Sequence, residues 1–351
     1  MGFFTGEGIA IDLGTANTTI YLEKEGIVLR EPTSVLTLAD ESASVLAVGS
    51  HAYRMRGRTN EETMMQSPVM DGAVTDSELA ALLILALAEK ATGRRRPMEK
   101  AQLLVSMSQG LTKVEREALL ATVRMTGAKR SAVVKTPLAA ALGAGLTVNQ
   151  PRGVMVVVLG AGVTEIAVIS MSAIVAARSM RTGFLHMDEA IVRYLRREKG
   201  ILIGLSTAED LKCDIGSALV PPEEAEGEEE TEIVLLKGRD VKTGKPLTVN
   251  VTARDIALAL QDNVELLLDA IQDALGRMPS ELAGDILDNG ILLSGGGALL
   301  KGLAERLAER TGLTVRVGEH PHEDVILGLG MLAEDEQLLR SALDGGSASG
   351  Q

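Results

Sequence analysis

The chain has 351 residues, of which 46% are hydrophobic but only 2% aromatic, with no Trp. That length buries a large core and suggests about two domains, with Leu, Ile, Val, Ala and Met filling the interior. A net charge of −13 argues against a general nucleic-acid binder, which needs a basic face, and the scarcity of aromatics argues against stacking surfaces.

The single Cys213 forms no internal disulfide, which fits a reducing cytoplasm. Met1–Thr5 has neither the basic nor the long apolar region of a signal peptide. The longest apolar run, Leu79–Ala88, is far short of the ~20 residues that cross a bilayer and reads as a core helix. The acidic run Glu223, Glu224, Glu226, Glu228, Glu229, Glu230 and Glu232 follows Pro221-Pro222 and reads as a solvated, mobile loop.

In chain order, Ile9–Leu13 is a buried strand running into a Gly14–Thr18 turn. Strands over Thr18–Leu22 and Ile27–Leu29 complete a β-meander. Ser77–Lys90 is an apolar helix with Ser77 as its N-cap, followed by the basic loop Arg94-Arg95-Arg96-Pro97 and a strand over Leu103–Ser106. Lys113–Met125 places Val114, Ala118, Ala121 and Met125 on one helical face and ends near Gly127. A strand at Ala132–Val134 and an Ala-rich helix over Pro137–Gly145 close the first half.

The second half repeats the opening about 146 residues later. Strand Val154–Leu159 leads to a turn from Gly160 to Thr164, then strands over Glu165–Ser170 and Ala173–Arg178. Helices follow at Met187–Arg197, Thr207–Ile215, Ala253–Leu275 and Leu299–Thr311, with the strand of Gly290–Ser294 meeting three glycines at a helix start. Two copies of one meander, each with helices, imply a duplicated α/β protein with a cleft between its halves.

Two segments carry the chemistry. In Asp12-Leu-Gly-Thr-Ala-Asn-Thr18, Gly14 allows close backbone approach, successive N–H groups form an anion nest, and Asp12 can hold Mg²⁺ through water. An ordinary hairpin turn uses the same residue types. In Leu293-Ser-Gly-Gly-Gly-Ala298, three glycines leave room for a flat ring, although a tight strand-to-helix turn accounts for them equally.

Together with the duplication, these segments resemble the actin/Hsp70/sugar-kinase superfamily, and within it the MreB/Mbl bacterial actins. Gly26-Ile-Val-Leu-Arg-Glu-Pro, Met70-Asp-Gly, Ala139-Ala-Ala-Leu-Gly-Ala-Gly, Thr164-Glu-Ile-Ala-Val-Ile-Ser and Pro279-Ser-Glu-Leu-Ala-Gly-Asp-Ile are similar in order and spacing, over about residues 8 to 335. The resemblance implies an actin-like α/β fold of two related domains, each a five-stranded mixed sheet with helices. Domain I would span 1–146 with 326–340 returning to it, domain II 147–325 with 183–262 as its outer subdomain, and 341–351 a flexible tail. It further implies ATP or ADP with Mg²⁺ in the cleft. Asp12, Gly14, Thr15, Ala16 and Asn17 would form one phosphate loop and Gly160, Ala161, Gly162 and Thr164 the other. Glu209 and Lys212 would face ribose and adenine, with Gly295, Gly296, Gly297 and Ala298 flanking the adenosine. An exposed i,i+3 ion pair is the plainer reading of Glu209 and Lys212.

The chain departs from that family on the triphosphate side. The family's catalytic Glu position is Thr136, its second-loop Asp is Val158, its first Thr after the glycines is Val163, and its Gly-Gly-Asp is Gly183-Phe184-Leu185. A carboxylate base contributes roughly 10²–10⁴-fold to rate, and Thr takes no proton at neutral pH. The expectation is a cytoskeletal filament protein guiding cell-wall synthesis, with ATP hydrolysis weak or lost. Its partners would be copies of itself or a paralogue, the wall-elongation machinery and the inner face of the cell membrane. Phe3, Phe4, Arg94, Arg95 and Arg96 are the candidate membrane contacts; a frayed terminus and a solvated loop are the alternative. A phosphotransferase or sugar kinase on the same fold is the rival, disfavoured by the missing carboxylates and the lack of a substrate-binding insertion. An Hsp70-like chaperone would need a long peptide-binding region after residue 335.

Overall fold

The computed structural model describes residues 7–39, 44–57, 61–222 and 233–347. Phe3, Phe4 and the acidic run over 223–232 lie outside the described residues. Two five-stranded mixed sheets with the same strand order form the frame. The first contains β1 (Glu7–Leu13), β2 (Asn17–Leu22), β3 (Gly26–Pro32), β4 (Ala101–Met107) and β5 (Arg130–Lys135), ordered β3-β2-β1-β4-β5. The second contains β6 (Val154–Leu159), β7 (Thr164–Ser170), β8 (Ala173–Met180), β9 (Ile291–Ser294) and β10 (Val315–Val317), ordered β8-β7-β6-β9-β10. In both, an antiparallel meander is extended by two parallel strands.

The duplication extends to single hydrogen bonds. Gly14 N–H donates to Asn17 C=O at 3.0 Å, and Gly160 N–H donates to Val163 C=O at 3.0 Å. A Cβ on either glycine would meet that carbonyl oxygen at 2.8 Å, so both turns require the missing side chain.

Alternation along the strands sorts the apolar side chains into layers. Ile9, Ile11, Leu103 and Val105 pack beneath α1 (Ser77–Thr92) and α2 (Lys113–Met125). Ala10 and Leu104 face the opposite way, toward α3 (Thr136–Gly143). In the second sheet Met155, Val157 and Leu159 pack with α4 (Phe184–Glu198), α5 (Leu205–Ile215), α6 (Ala253–Arg277) and α7 (Leu303–Thr311). Val154, Val156 and Val158 join the layer shared with α3, α8 (Asp324–Glu334) and α9 (Glu336–Ser347).

That shared layer joins the two lobes. A Cβ at Gly143 would lie 1.8 Å from the Asp324 carbonyl oxygen, and one at Gly328 1.9 Å from that of Ala139. The backbones of α3 and α8 therefore touch.

The structure corrects several expectations. Asp76, not Ser77, caps α1: its carboxylate accepts from Leu79 N–H at 2.9 Å, while Ser77 Oγ donates to Ala118 C=O at 3.1 Å and ties α1 to α2. The buried face of α2 is Leu119, Thr122 and Val123, leaving Val114 and Met125 79% and 50% exposed. Helix α7 starts at Leu303 rather than Leu299, because Gly296–Leu299 is a tight 3₁₀ turn and Gly302 is left-handed at φ +73°. The segment expected to be a flexible tail is helical through Ser347, with Ala342 buried.

Candidate functional site: the interlobe cleft

A cavity of about 490 Å³ opens between the lobes. Asp12, the Gly14–Asn17 turn and Ser106 line it from the first lobe. Gly160, Ala161, Gly162, Glu165, Glu209, Lys212 and Gly295–Gly297 line it from the second. Thr164 and Ala298 are buried outside the lining, and the Thr164 hydroxyl donates to Thr182 C=O at 2.9 Å. Gly295 sits at φ +81°, and a Cβ there would lie 2.5 Å from Leu159 C=O, so the glycine turn is pressed against the end of β6.

Where the two glycine loops meet, Asp12 is anchored by Ser106, whose hydroxyl donates to the carboxylate at 2.7 Å. Burial raises the Asp12 pKa; Ser106 and the Arg30 charge oppose it. Beside it lies Glu165, to which no role had been given and which is 2% exposed. Its Oε1 accepts from Gln109 N–H at 2.5 Å and from Ser108 Oγ at 3.0 Å, both on the first lobe. Burial pushes its pKa up to about 7, against the hydrogen bonds from Gln109, Ser108 and Thr136 and with added repulsion from Asp12. Thr136 shares this part of the lining with Glu165 and is the weakest of the influences on its pKa. Val158 and Leu185 put apolar surface on the same lining. Sequence reasoning missed Glu165 because a Glu in a strand of alternating residues reads as solvent-facing; pairing with Val158 in the two-sided buried sheet is what turns it inward.

At the other end, Lys212 Nζ lies 2.6 Å from Asp188 and donates to Phe184 C=O at 2.9 Å. Burial lifts Asp188 to about 6, with Lys212 pulling the other way. Glu209 turns instead toward Tyr53, whose hydroxyl reaches it at 3.5 Å from the first lobe. Helix α4 begins against the second glycine loop: Phe184 N–H donates to Gly160 C=O at 3.1 Å and Leu185 N–H to Ala161 C=O at 2.8 Å.

The lobes touch directly across the loops. A Cβ on Gly162 would meet Thr15 Oγ1 at 2.6 Å, one on Gly72 would meet Val163 at 2.9 Å, and Arg181 pairs with Glu115 at 2.7 Å. Away from the cleft, Arg96 is left-handed at φ +54° and pairs with Glu99 at 3.2 Å, while its N–H donates to Glu89 at 3.3 Å. Part of the basic loop's charge is therefore met within the loop. Among the described residues no helix is long and apolar enough to cross a membrane.

Two like-ordered sheets, joined through crossing helices and closing two glycine loops over a cleft, define the actin-like class. The MreB/Mbl protein family matches residues 6–341, and the chain belongs to that family. It is 38% identical over 327 residues to the cell shape-determining protein Mbl of Bacillus subtilis, covering 93% of this chain and 96% of that one. It is 39% identical over 336 residues to the cell shape-determining protein MreB of Escherichia coli K12, covering 95% and 94%. Among solved structures, MreB5 of Spiroplasma citri bound to AMPPNP superposes with a TM-score of 0.88 at 30% identity, covering 97% of this chain and 99% of that one. A MamK double helical filament matches with a TM-score of 0.76 at 19% identity, covering 94% and 99%, and shares the fold.

Proposed function

We propose that this chain is a filament-forming, cell-shape-determining bacterial actin that holds an adenine nucleotide in its cleft and hydrolyses it slowly or not at all. One observation carries the reading: the position expected for the catalytic carboxylate is Thr136, and it lines the cleft together with the apolar Val158 and Leu185. Family membership supports the cytoskeletal part, and the AMPPNP-bound relative supports nucleotide as the occupant.

In this reading the Gly14–Asn17 and Gly160–Gly162 turns bind phosphate oxygens through backbone N–H groups. Mg²⁺, when bound, would neutralise phosphate charge. It takes oxygen ligands and keeps several waters, which suits the carboxylate of Asp12 anchored by Ser106. Among the described residues no cluster of three or more His, Cys, Asp or Glu could hold a metal on its own, so the phosphates would supply the remaining ligands.

We assign residues 1–146 and the returning 326–340 to one lobe and 147–325 to the other, with 183–262 as the outer part of the second. The filament would lie at the inner face of the cell membrane and guide wall synthesis, built from copies of this chain or with a paralogue. Phe3, Phe4 and Arg94–Arg96 would make the membrane contact.

Electron microscopy of purified protein with and without ATP and anionic liposomes, run beside phosphate release, tests the proposal. Filaments with release well below that of Escherichia coli MreB are expected. A strict monomer, or release at the rate of that relative, refutes it. Liposome co-sedimentation unaffected by deleting Met1–Thr5 and neutralising the three arginines refutes the membrane contact.

A further inference from the structure

At the expected nucleoside end of the cleft, Phe184 stands in the lining beside Gly297, Glu209 and Lys212. Phe184, the first residue of α4, lies flat enough against Gly297 that a Cβ there would fall 2.1, 2.4 and 2.5 Å from three ring carbons. The Lys212 ammonium stands 5.7 Å from the ring centroid, held by Asp188 and by the carbonyl of Phe184. The ring is only 8% exposed and belongs to the core cluster of Met187, Leu211 and Ala298. Its backbone is tied to the second glycine loop through Gly160.

The groups expected to face a base are therefore already satisfied. The side of Gly297 where a Cβ would stand meets the Phe184 ring, Lys212 is paired, and Glu209 turns toward Tyr53. A base seeking that wall must displace a buried phenyl ring and a desolvated ion pair, both of which oppose it. At the phosphate end Gly14–Asn17 and Gly160–Gly162 line the same cavity, and a Cβ on Gly14 or Gly160 would meet first the carbonyl of its own turn rather than a ring.

We propose that Phe184 is a built-in occupant of the nucleoside compartment, so that the chain grips nucleotides by their phosphates and scarcely recognises the base. The proposal rests on the reading that the cleft takes a nucleoside triphosphate. Its opposite is also physically sound, because an aromatic face can instead act as a platform on which the base stacks. The two give opposite signs.

The experiment is calorimetric titration of the full chain with Mg-ATP, Mg-GTP and Mg-tripolyphosphate, for wild type, Phe184→Ala and Phe184→Leu, with folding checked by circular dichroism. In wild type the three ligands should bind within about threefold of one another, a difference below 1 kcal/mol. Phe184→Ala opens the slot and should tighten ATP by tenfold or more while leaving tripolyphosphate unchanged. Phe184→Leu keeps most of the volume without the π face and should hold ATP as weakly as wild type.

Tenfold weaker ATP binding in both variants, with tripolyphosphate unchanged, identifies a stacking platform and overturns the proposal. Should Phe184→Ala fail to fold, the Leu variant decides alone, since a platform loses affinity there and a space-filling occupant does not. If wild type and folded variants bind neither ATP nor tripolyphosphate, the nucleotide reading itself falls and this proposal with it. Wild type that binds ATP tenfold or more tighter than tripolyphosphate overturns this proposal and leaves the nucleotide reading standing, which separates the two failures.

Discussion

Replacing Glu165 by Gln isolates the free energy of a buried carboxyl at the lobe interface. Its pKa in the folded chain is about 7 against an ordinary 4.5, with burial as the main cause. The difference, about 2.5 units at about 1.4 kcal/mol each, is roughly 3 kcal/mol. Because the folded-state pKa is raised, the folded chain holds the proton that the unfolded chain releases. Stability from this group is therefore fully present below about pH 4.5 and is lost as pH rises toward and through 7. Glu165→Gln keeps an acceptor for Gln109 N–H and Ser108 Oγ but has no charge to desolvate. Urea unfolding of both proteins, free of metal and nucleotide, at several values between pH 4.5 and 8 gives the difference directly. The variant should gain on wild type by about 3 kcal/mol across that window. A difference that stays flat within about 1 kcal/mol would show that Glu165 ionises without hindrance and that the lobe interface is wetter than described. The same sign applies to opening of the cleft. Any motion that hydrates Glu165 becomes easier at high pH, so hydrogen exchange at Ser108 and Gln109 should quicken from pH 6 to 8 beyond the intrinsic rate in wild type and not in Glu165→Gln.

Other perturbations test the rest of the frame. Lys212→Met strands the buried Asp188 and should cost about 3–5 kcal/mol of stability near pH 8. Less is lost at pH 5, where Asp188, held up to about 6, takes a proton, and Asp188→Asn in the same chain should recover most of the loss. Gly328→Ala drives a methyl into the Ala139 carbonyl of α3 and should cost about 3 kcal/mol or more, read as a fall in thermal midpoint. Asp76→Ala should lose about 1 kcal/mol as the N-cap of α1. Ser77→Ala loses only the Ala118 contact, so a larger loss at Ser77 than at Asp76 would refute the cap assignment.

Much of this architecture was legible because it is local. The meander-plus-glycine pattern at Asp12–Thr18 and Val154–Thr164 is a matter of residue order, and it predicts two like halves with a cleft between them. What failed concerns direction. The stripe of Val114, Ala118, Ala121 and Met125 satisfies helical spacing, yet α1 covers the Leu119 and Val123 side instead. Periodicity says that a helix has faces, while the neighbour decides which one is covered. The choice between Asp76 and Ser77 likewise depends on which residue turns extended at the helix start, and one residue of offset was invisible in the chain order.

The sequence by itself determined the family, the duplicated fold and the absence of a carboxylate from Thr136, Val158 and Leu185, because each is a question of which atoms exist at which position. Tertiary structure alone decided where the remaining charges and rings went. Glu165 is pushed up to about 7 only because the closed lobes bury it, while the bonds from Ser108 and Gln109 on the other lobe pull the opposite way. Phe184 becomes an occupant of the cleft only when Gly297, more than a hundred residues away in the chain, offers a backbone with no side chain to stop it. Desolvation and packing are sums over neighbours, and neighbours distant in sequence are chosen by the fold.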